Sequence, residues 1–498
     1  MGSTPVKALR KRLRERVKHV VVDEYQDVNP IQEAVVKALS DLGAKLCVVG
    51  DDDQVLYQWR GSEVQNIFTF KERYPPVKQI RLEDNFRSSK GVVETARPFI
   101  EQNTERLSKK MVHKDAQTYE AGDIVALPFD DPDAEAHFIA ATCKKLLGVA
   151  IKDGGGKKRG IAWSDMAVLL RSVARNGEPI IRALQDANTP FLVVGMKSLF
   201  RTPEADAARA LFYFMAGRAD CTEAIVRRAW KMAKTGAPVS KIKAAVAIAA
   251  RARADMLQDV KRYSVYSPQR VFLDFLENAG IREEKVPGDP EHGQILFYNL
   301  GKFSQLISDF EAIHFHSKPS DKYYAFAKFL ENQAEGAYPE GWQDSQYANP
   351  NAVRIMTVHQ AKGMQWPAVF VPALMRNRFP AAAIGGRNVW HLIPESGVRG
   401  YARYRGTLED ERRLFYVAMT RAQKFLYMTW APIEDNQRFR KPSTFWENVQ
   451  KSAFVKCSLP NYSKRKRLPP QAKAGVSKVI LSFSDIKYFG VDPIVWTA

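Results

Sequence analysis

Carboxylates near the start of the chain follow an apolar run, in a pattern that could hold a metal ion and phosphates. Val20, Val21 and Val22 lead directly into Asp23 and Glu24. A short buried strand that ends in two adjacent acids places negative charge at the carboxyl edge of a sheet, where open α/β folds bind their ligands. We therefore predict a buried strand at this point, with a metal and phosphate site at its end.

A second apolar run, Leu46–Val49, precedes a polar stretch that could respond to a phosphate. Asp51–Gln54 follows this run, and Tyr57, Trp59 and Arg60 come a few residues later. An amide close to stacking aromatics and a guanidinium could link phosphate sensing to base stacking.

The two stretches, VVVDEYQD and GDDDQVLYQWRG, closely resemble motifs II and III of superfamily 1 helicases of the UvrD/Rep type. Alone, VVVDE is also typical of any Walker-B-like strand or of a capped loop, but the second stretch at the expected order and distance favours shared ancestry. The resemblance implies that Asp23 holds Mg²⁺, that Glu24 orients or deprotonates the attacking water, and that Gln54 senses the γ-phosphate of ATP. It also implies DNA contacts, including base stacking on the two rings, for Tyr57, Trp59 and Arg60.

Composition favours a large protein with a polyanionic partner. The chain has 498 residues, 45% of them hydrophobic, which predicts two to four domains. Its formal charge of +20 favours nucleic acid as the partner, with an anionic membrane surface as the alternative. No long apolar run and no secretory signal is present, and the four cysteines are far apart, so we expect a cytoplasmic protein without a bilayer span or C-x-x-C zinc site.

The element NFRS, residues 85–88, contains an arginine that could be a solvated residue or part of a helix cap. The element resembles motif IV, which opens the second RecA-like domain of the family. The resemblance implies that Arg87 contacts the γ-phosphate and that Phe86 stacks on adenine. Phe86 replaces the more frequent tyrosine, which keeps the aromatic face and loses a hydroxyl.

The segment from Thr189 to Arg201 resembles the family's region between motifs IV and V, where an aromatic residue contacts DNA bases. Phe200 is the candidate for this contact. An aromatic residue beside a strand end is equally typical of a hydrophobic core, so both interpretations stay open.

The stretch TVHQAKGMQ, residues 357–365, resembles motif V. A histidine after a strand is often structural, but in this motif Thr357 and His359 are implied to contact the DNA strand. The turn at Lys362 and Gly363 is implied to face ATP. Gln365 stands where the family commonly has a glutamate that hydrogen-bonds the ribose, and an amide can still make that contact without the charge.

The stretch from Glu409 to Ala422 resembles motif VI and predicts a helix, because Leu414 and Val417 lie at the spacing that buries one face. The resemblance implies that Arg421 is an arginine finger opposite the phosphates of the first domain, where it offsets developing negative charge.

The phosphate-binding loop of the family is missing. The pattern G-x-x-x-x-G-K-[ST] occurs nowhere in the chain, and Gly154–Lys158 is a Gly/Lys loop without the required hydroxyl residue. We therefore expect either an N-terminally truncated chain or a separate polypeptide that supplies the P-loop half.

The resemblance implies an α/β fold of the RecA-like P-loop NTPase helicase type. It predicts a partial first RecA-like domain and a complete second one with an inserted helical subdomain. The expected boundaries are 1–79 for the first domain, 80–218 and 346–450 for the second, 219–345 for the insertion (2B-like), and 451–498 for a basic linker and tail. Lys464–Arg467 in this tail is interpreted as a linker or a backbone-phosphate contact.

The predicted function is that of an ATP-dependent DNA helicase or translocase with ATP and Mg²⁺ as cofactors, moving 3′ to 5′ on single-stranded DNA and at duplex junctions. A chain without the P-loop is expected to hydrolyse nothing alone. The alternatives are a catalytically incomplete DNA-binding or partner-binding module, and a fragment of a helicase-nuclease subunit. Because Glu24, Arg87 and Arg421 are all present, truncation or a split enzyme is favoured over long decay.

Overall fold

A computed structural model describes residues 4–56, 62, 64–114, 116–153, 156–195, 199–258, 267–314, 318–334, 350–382, 394–397, 406–433 and 436–472. Within these ranges the chain divides into two compact units. The first unit contains the described residues of 1–201, 329–342 and 352–470, and the second those of 202–328, 343–351 and 471–498.

The helices and strands follow the order expected of an α/β protein with a helical insertion. The helices are α1 Thr4–Arg16, α2 Pro30–Asp41, α3 Gln65–Phe68, α4 Phe70–Arg73, α5 Lys90–Ile100, α6 Pro132–Leu146, α7 Val173–Asn176, α8 Glu178–Asp186, α9 Pro203–Met215, α10 Glu223–Met232, α11 Val239–Gln258, α12 Pro268–Asn278, α13 Pro290–Ile313, α14 Pro319–Asn332, α15 Leu408–Thr420 and α16 Thr444–Val449. The strands are β1 His19–Val22, β2 Lys45–Val48, β3 Asp84–Asn85, β4 Val112–His113, β5 Ile124–Pro128, β6 Ala150–Lys152, β7 Lys158–Gly160, β8 Met166–Leu170, β9 Phe191–Val193, β10 Val353–Thr357, β11 Trp366–Val371 and β12 Ala422–Trp430.

The first unit is built on a six-stranded parallel sheet with the order β5-β12-β11-β8-β10-β9. The central strands β8 and β11 are buried along their whole length, as expected for a parallel sheet covered on both faces. Helix α5 packs against α15 on one side of this sheet, and α6 packs against α8. This sheet confirms the α/β class and carries the candidate site at the ends of its strands.

The strand predicted over Val20–Val22 forms, but it is not buried, so that part of the prediction is wrong. Strands β1 and β2 make a separate two-stranded parallel sheet in which exposed and half-buried residues alternate. Val21 is 70% exposed and Val49 is 42% exposed. The physical reason is that no further strand pairs with β1 or β2 in the part of the chain that the structure describes.

In the residues that the structure describes, the second unit is helical. The ring of Phe212 on α9 stacks on Phe303 of α13 at 6.0 Å and meets Phe326 of α14 edge-on at 4.9 Å. Because α9 shares this aromatic core, the compact unit begins at Thr202, ahead of the boundary expected at 219. Among the described residues no helix is both long and apolar enough to cross a membrane.

Candidate functional site

The chain turns sharply at Glu24, directly after β1. Glu24 has a left-handed backbone, with φ 51° and ψ 42°, which is uncommon for a residue with a side chain and is found at functional sites. Its N–H donates to Asp23 Oδ1 at 2.8 Å, and Tyr25 N–H donates to Val49 O at 2.9 Å. The turn therefore holds the exposed carboxylates of Asp23 and Glu24 at the end of the strand, as predicted.

Gln26, which the sequence analysis did not single out, joins the two carboxylate motifs. Its side chain is fully buried. The amide Nε2 donates to Glu24 Oε2, and Oε1 accepts from Asp51 N at 3.0 Å. The orientation of Glu24 is thus tied to the loop after β2.

The three consecutive acids of that loop pair with a basic segment that the sequence analysis also missed. Arg106 donates to both oxygens of Asp53, at 3.1 and 2.7 Å. Lys109 contacts Asp51 and lies 2.5 Å from Asp52 Oδ1. Burial would lower the pKa of Lys109, but the surrounding carboxylates raise it well above its usual value. Three adjacent acids predict compensating cations, but not which distant residues supply them.

Lys362 brings motif V onto the carboxylates of motif II. Its Nζ contacts Asp27 Oδ2, lies 3.3 Å from Glu24 Oε2 and donates to Gln54 O at 2.9 Å. Gly363 follows with a left-handed backbone at φ 78°, a conformation that favours glycine and forms a turn directly after Lys362. Burial raises the pKa of Asp27 although Lys362 opposes the shift. Asp27, like Gln26, was not singled out in the sequence analysis.

Arg421 is a buried cation whose hydrogen-bond acceptors among the described residues are all neutral. It is 1% exposed, and it donates to Val417 O at 3.1 Å, Met364 O at 3.2 Å and Gln54 Oε1 at 3.1 Å. Burial, and then the neighbouring guanidinium of Arg87, lower its pKa to about 10. A buried guanidinium without a carboxylate is costly unless an anion completes its environment.

Arg87 is positioned next to Arg421 by a local turn. Asn85 Oδ1 accepts from the N–H groups of Arg87 and Ser88, each at 2.9 Å, and Ser88 Oγ donates to Ala422 O at 2.7 Å. Burial also lowers the pKa of Arg87, although Tyr416 and Glu24 oppose the shift. Two guanidinium groups held together in this way can receive a multiply charged anion such as a phosphate.

The residues predicted to contact bases or DNA differ in their exposure to solvent. Phe86 is 72% exposed and Gln365 is exposed, so both can meet a ligand. Thr357 and His359 are each only 7% exposed. Phe200 is 4% exposed, which favours the core interpretation over base stacking. The predicted contacts at Tyr57, Trp59 and Arg60 lie outside the described residues.

The residues at the end of β1 fit a magnesium ion that is shared with a nucleotide. Mg²⁺ is usually bound by one or two carboxylates together with substrate phosphates. Asp23 and Glu24 are exposed carboxylates, and the buried Oδ1 of Asp27 has no hydrogen-bond partner. No group of three His, Cys, Asp or Glu side chains that could hold a metal ion occurs among the described residues.

The comparisons with known proteins show which family the chain belongs to. The model of the UvrD-like helicase C-terminal domain matches residues 80–264 and 249–432, and that of the UvrD/REP helicase N-terminal domain matches residues 3–75. The chain belongs to the UvrD/REP family of superfamily 1 helicases. The resemblance drawn from motifs II to VI is therefore confirmed.

Individual relatives are distant. The chain is 28% identical over 465 residues to DNA helicase II of Escherichia coli (strain K12), covering 87% of this chain and 59% of the relative. It is 25% identical over 491 residues to the ATP-dependent DNA helicase PcrA of Staphylococcus aureus (strain MRSA252), covering 93% and 61%. The chain thus spans about three-fifths of the length of these curated relatives.

Proposed function

We propose that this chain is the larger part of an ATP-dependent DNA helicase or translocase that moves 3′ to 5′ on single-stranded DNA and at duplex junctions. In this proposal it combines a partial first RecA-like domain with a complete second one. The observation that carries the proposal is Arg421, a buried guanidinium with neutral acceptors beside Arg87. In this proposal the pair of guanidinium groups binds the γ-phosphate of ATP.

The proposed chemistry assigns a step to each group of the site. Glu24 accepts the proton of the attacking water, and Gln26 and Lys362 hold its carboxylate in place. Arg87 and Arg421 offset the charge that develops on the transferred phosphoryl group. Asp23 would hold Mg²⁺, which would supply positive charge to neutralise the phosphates. Gln54 touches both Arg421 and the Asp51 loop, and could therefore report the state of the phosphate to the DNA-contacting residues.

The remaining contacts are proposed from the motifs. Phe86 stacks on adenine, while Gly363 and Gln365 face the sugar. Thr357 and His359 contact the DNA strand. Both side chains are nearly buried in this arrangement, so the site has to open before the contact forms. Stacking of bases on Tyr57 and Trp59 would contribute about 1 to 3 kcal/mol per base.

The P-loop that this chemistry needs would come from an α/β segment that completes the β1–β2 sheet. A two-stranded parallel sheet is normally part of a larger sheet covered on both faces. A groove of about 470 Å³ lies beside it, and its lining includes Val22, Val35 and Val36 together with Asp23 and Glu24. Val35 is 57% exposed there. Additional strands would cover these valines and bring backbone amides towards the carboxylates. The segment could be part of a longer protein or a separate polypeptide.

A second function, that of a DNA-binding or partner-binding module without turnover, is favoured by one observation. The 498 residues contain no G-x-x-x-x-G-K-[ST] sequence. Without that P-loop, the 498 residues lack the lysine that holds the phosphates and the hydroxyl that holds Mg²⁺.

The deciding experiment is ATP hydrolysis by the purified chain with Mg²⁺, with and without single-stranded DNA. We expect DNA binding without turnover. We also expect DNA-stimulated turnover in a chimera that carries the N-terminal part of the Escherichia coli relative ahead of residue 1. Glu24→Gln in that chimera should abolish turnover and keep DNA binding. A chimera that folds and binds DNA but never hydrolyses ATP would favour the binding module.

A further inference from the structure

Helix α1 carries a large excess of positive charge. Residues 4–18 contain seven lysines and arginines and only one acid, Glu15. Two residues join the helix to β1, and Lys45 N–H at the start of β2 donates to Lys18 O at 2.9 Å. The charge is therefore held in a fixed place, at the amino ends of the two strands.

The periodicity of the helix sorts these cations by direction. Four of them follow the spacing i, i+3, i+4, i+7 and so lie on one side of α1, which we call the basic face: Lys7, Arg10, Lys11 and Arg14. Arg12 and Arg16 lie about 200° further round the helix, at about 3.6 residues per turn. An apolar stripe separates the two sets on one side and consists of Val6, Leu9 and Leu13. The positive charge of the basic face thus points in one direction.

No acid of the protein compensates the basic face in the part of the chain that the structure describes. All four of its side chains are exposed, and none of them pairs with a carboxylate there. Like charges at i, i+3 and i, i+4 destabilise a helix by about 0.2 to 0.5 kcal/mol per pair, and the basic face contains four such pairs. An anion bound along this face would relieve the repulsion.

The basic face is separate from the candidate ATP site. Helix α1 meets the amino end of β1, whereas Asp23 and Glu24 follow its carboxyl end. The four residues of β1 span about 13 Å at roughly 3.3 Å per residue. The cations of α1 therefore do not belong to the phosphate site at the other end of the strand.

The composition of α1 favours nucleic acid over a lipid surface. A helix that lies in a membrane interface buries a face of large apolar residues, commonly Trp, Phe and Leu. Residues 4–16 contain two leucines and no aromatic residue, and Leu13 is half-buried on the protein. Without an aromatic ring, α1 also offers no platform for stacking a base. The chemistry that remains is contact with phosphates.

We propose that the basic face of α1 binds the phosphate backbone of DNA without reading its bases. Lys7 and Arg14 are about 10 Å apart along the helix axis, at about 1.5 Å per residue. Phosphates of one strand follow each other about every 3.4 Å along a duplex, so the face can contact about three of them. The inference rests on the proposed function only for DNA as the source of the polyanion.

The test compares two double charge reversals in the same helix. Arg10→Glu with Arg14→Glu changes the basic face. Arg12→Glu with Arg16→Glu is the matched control, because it has the same residue types, spacing and change in net charge on the other side of the helix. Fluorescence anisotropy measures the affinity of the purified chain for a single-stranded oligonucleotide and for a duplex of the same length, over a range of salt concentrations and without ATP. Circular dichroism checks that both variants keep their helix content.

We expect the basic-face variant to bind DNA at least about tenfold more weakly at about 0.1 M salt, with a much smaller change in the control. The salt slope should fall by about 2, because two phosphate contacts are lost. Arg10→Gln with Arg14→Gln, which keeps good helix formers at both positions, should lower the slope in the same way. The oligonucleotide with the larger loss, duplex or single strand, is the one whose backbone the face binds.

Equal weakening by the two reversals would reveal a general effect of net charge and overturn the proposal. Unchanged DNA affinity of the basic-face variant would overturn it as well. If that variant instead loses binding to vesicles of phosphatidylserine and phosphatidylcholine, the face belongs to a membrane contact. A wild-type chain that binds no DNA would count against the proposed function too, whereas an unchanged variant beside a DNA-binding wild type would count against this inference alone.

Discussion

Gln54 Oε1 accepts a hydrogen bond from Arg421 Nη2 at 3.1 Å, while its Nε2 donates to Asp51 Oδ2 at 2.7 Å. The amide is thus fixed at both ends, between motif III and motif VI. It gives Arg421 a neutral acceptor where a carboxylate would have neutralised the guanidinium. The positive charge is retained for a ligand.

The first prediction concerns the free-energy cost of burying the Arg421 guanidinium. Because Arg421 is buried without a carboxylate, Arg421→Met should leave the thermal unfolding temperature unchanged or raise it. Affinity for a non-hydrolysable ATP analogue, measured in the chimera described above, should fall about 10- to 100-fold with the loss of a charge-assisted contact. Arg413→Met in α15, the helix that Arg421 directly follows, is the control. Arg413 donates to Asp410 Oδ1 at 2.9 Å and is 3% exposed, so its loss should lower the unfolding temperature. Equal destabilisation by both substitutions would contradict this account.

The second prediction concerns Lys109, which compensates the three acids after β2. Lys109→Met leaves Asp52 and Asp53, each 1% exposed, with less positive charge nearby. Removing one partner of a buried ion pair costs about 3 to 5 kcal/mol. We expect a clear loss of stability in urea unfolding, partly restored by adding Asp52→Asn. Lys110→Met, at the exposed neighbouring position, should have little effect.

The third prediction is a pH dependence from Glu135, a buried residue of α6 that contacts Thr429 of β12. Burial raises its pKa from 4.5 to about 7, although Thr429 Oγ1 and Ala373 N–H both donate to its Oε1. The protonated form is therefore favoured in the folded state. Its contribution to stability is complete below about pH 4.5 and is lost as the pH rises through about 7, by up to about 3 kcal/mol.

Glu135→Gln keeps an acceptor for Thr429 and cannot ionise. The difference in urea midpoint between this variant and the wild type should grow from pH 5 to pH 8, in favour of the variant. A difference that stays constant with pH would mean that Glu135 is not the titrating group.

The fourth prediction concerns the C-terminal segment of residues 462–470, which we call the strap. Gly160→Val would drive a side chain into Leu468 O and displace residues 462–470. Trypsin should then cleave after Lys464 or Arg465 much faster than in the wild type. Gly301→Ala is the control, since a Cβ there meets nothing within 4 Å and a helical alanine adds about 0.5 to 1 kcal/mol. Unchanged cleavage in Gly160→Val would show that the strap is not held by this contact.

Sequence motifs selected several residues that the structure brings close together, and their functional roles stay predictions. Arg87, Arg421, Gln54 and Lys362 do come together with Glu24, because each lies at the end of a strand or in a turn that the motif itself specifies. The α/β class of the fold followed from the family resemblance of these motifs.

Partners between distant segments could not be predicted in the same way. The pairing of Lys109 and Arg106 with the acids after β2, and the role of Gln26, depend on which loops meet in three dimensions. The burial of β1 was wrongly predicted because apolar composition does not reveal how many neighbouring strands are available to cover it. The location of the strap was unpredictable for a related reason, since a basic run has no spacing that specifies its neighbour.

The C-terminal segment has one more consequence, which concerns solubility. Lys456, shortly before the strap, bridges to Val125, where Ala126 N–H donates to Lys456 O and Lys456 N–H donates to Ile124 O, each at 2.9 Å. Strand β5 is the outermost strand of the six-stranded sheet, and open strand edges are templates for pairing with another molecule. By occupying these backbone groups, the segment protects the sheet from edge-to-edge association between copies.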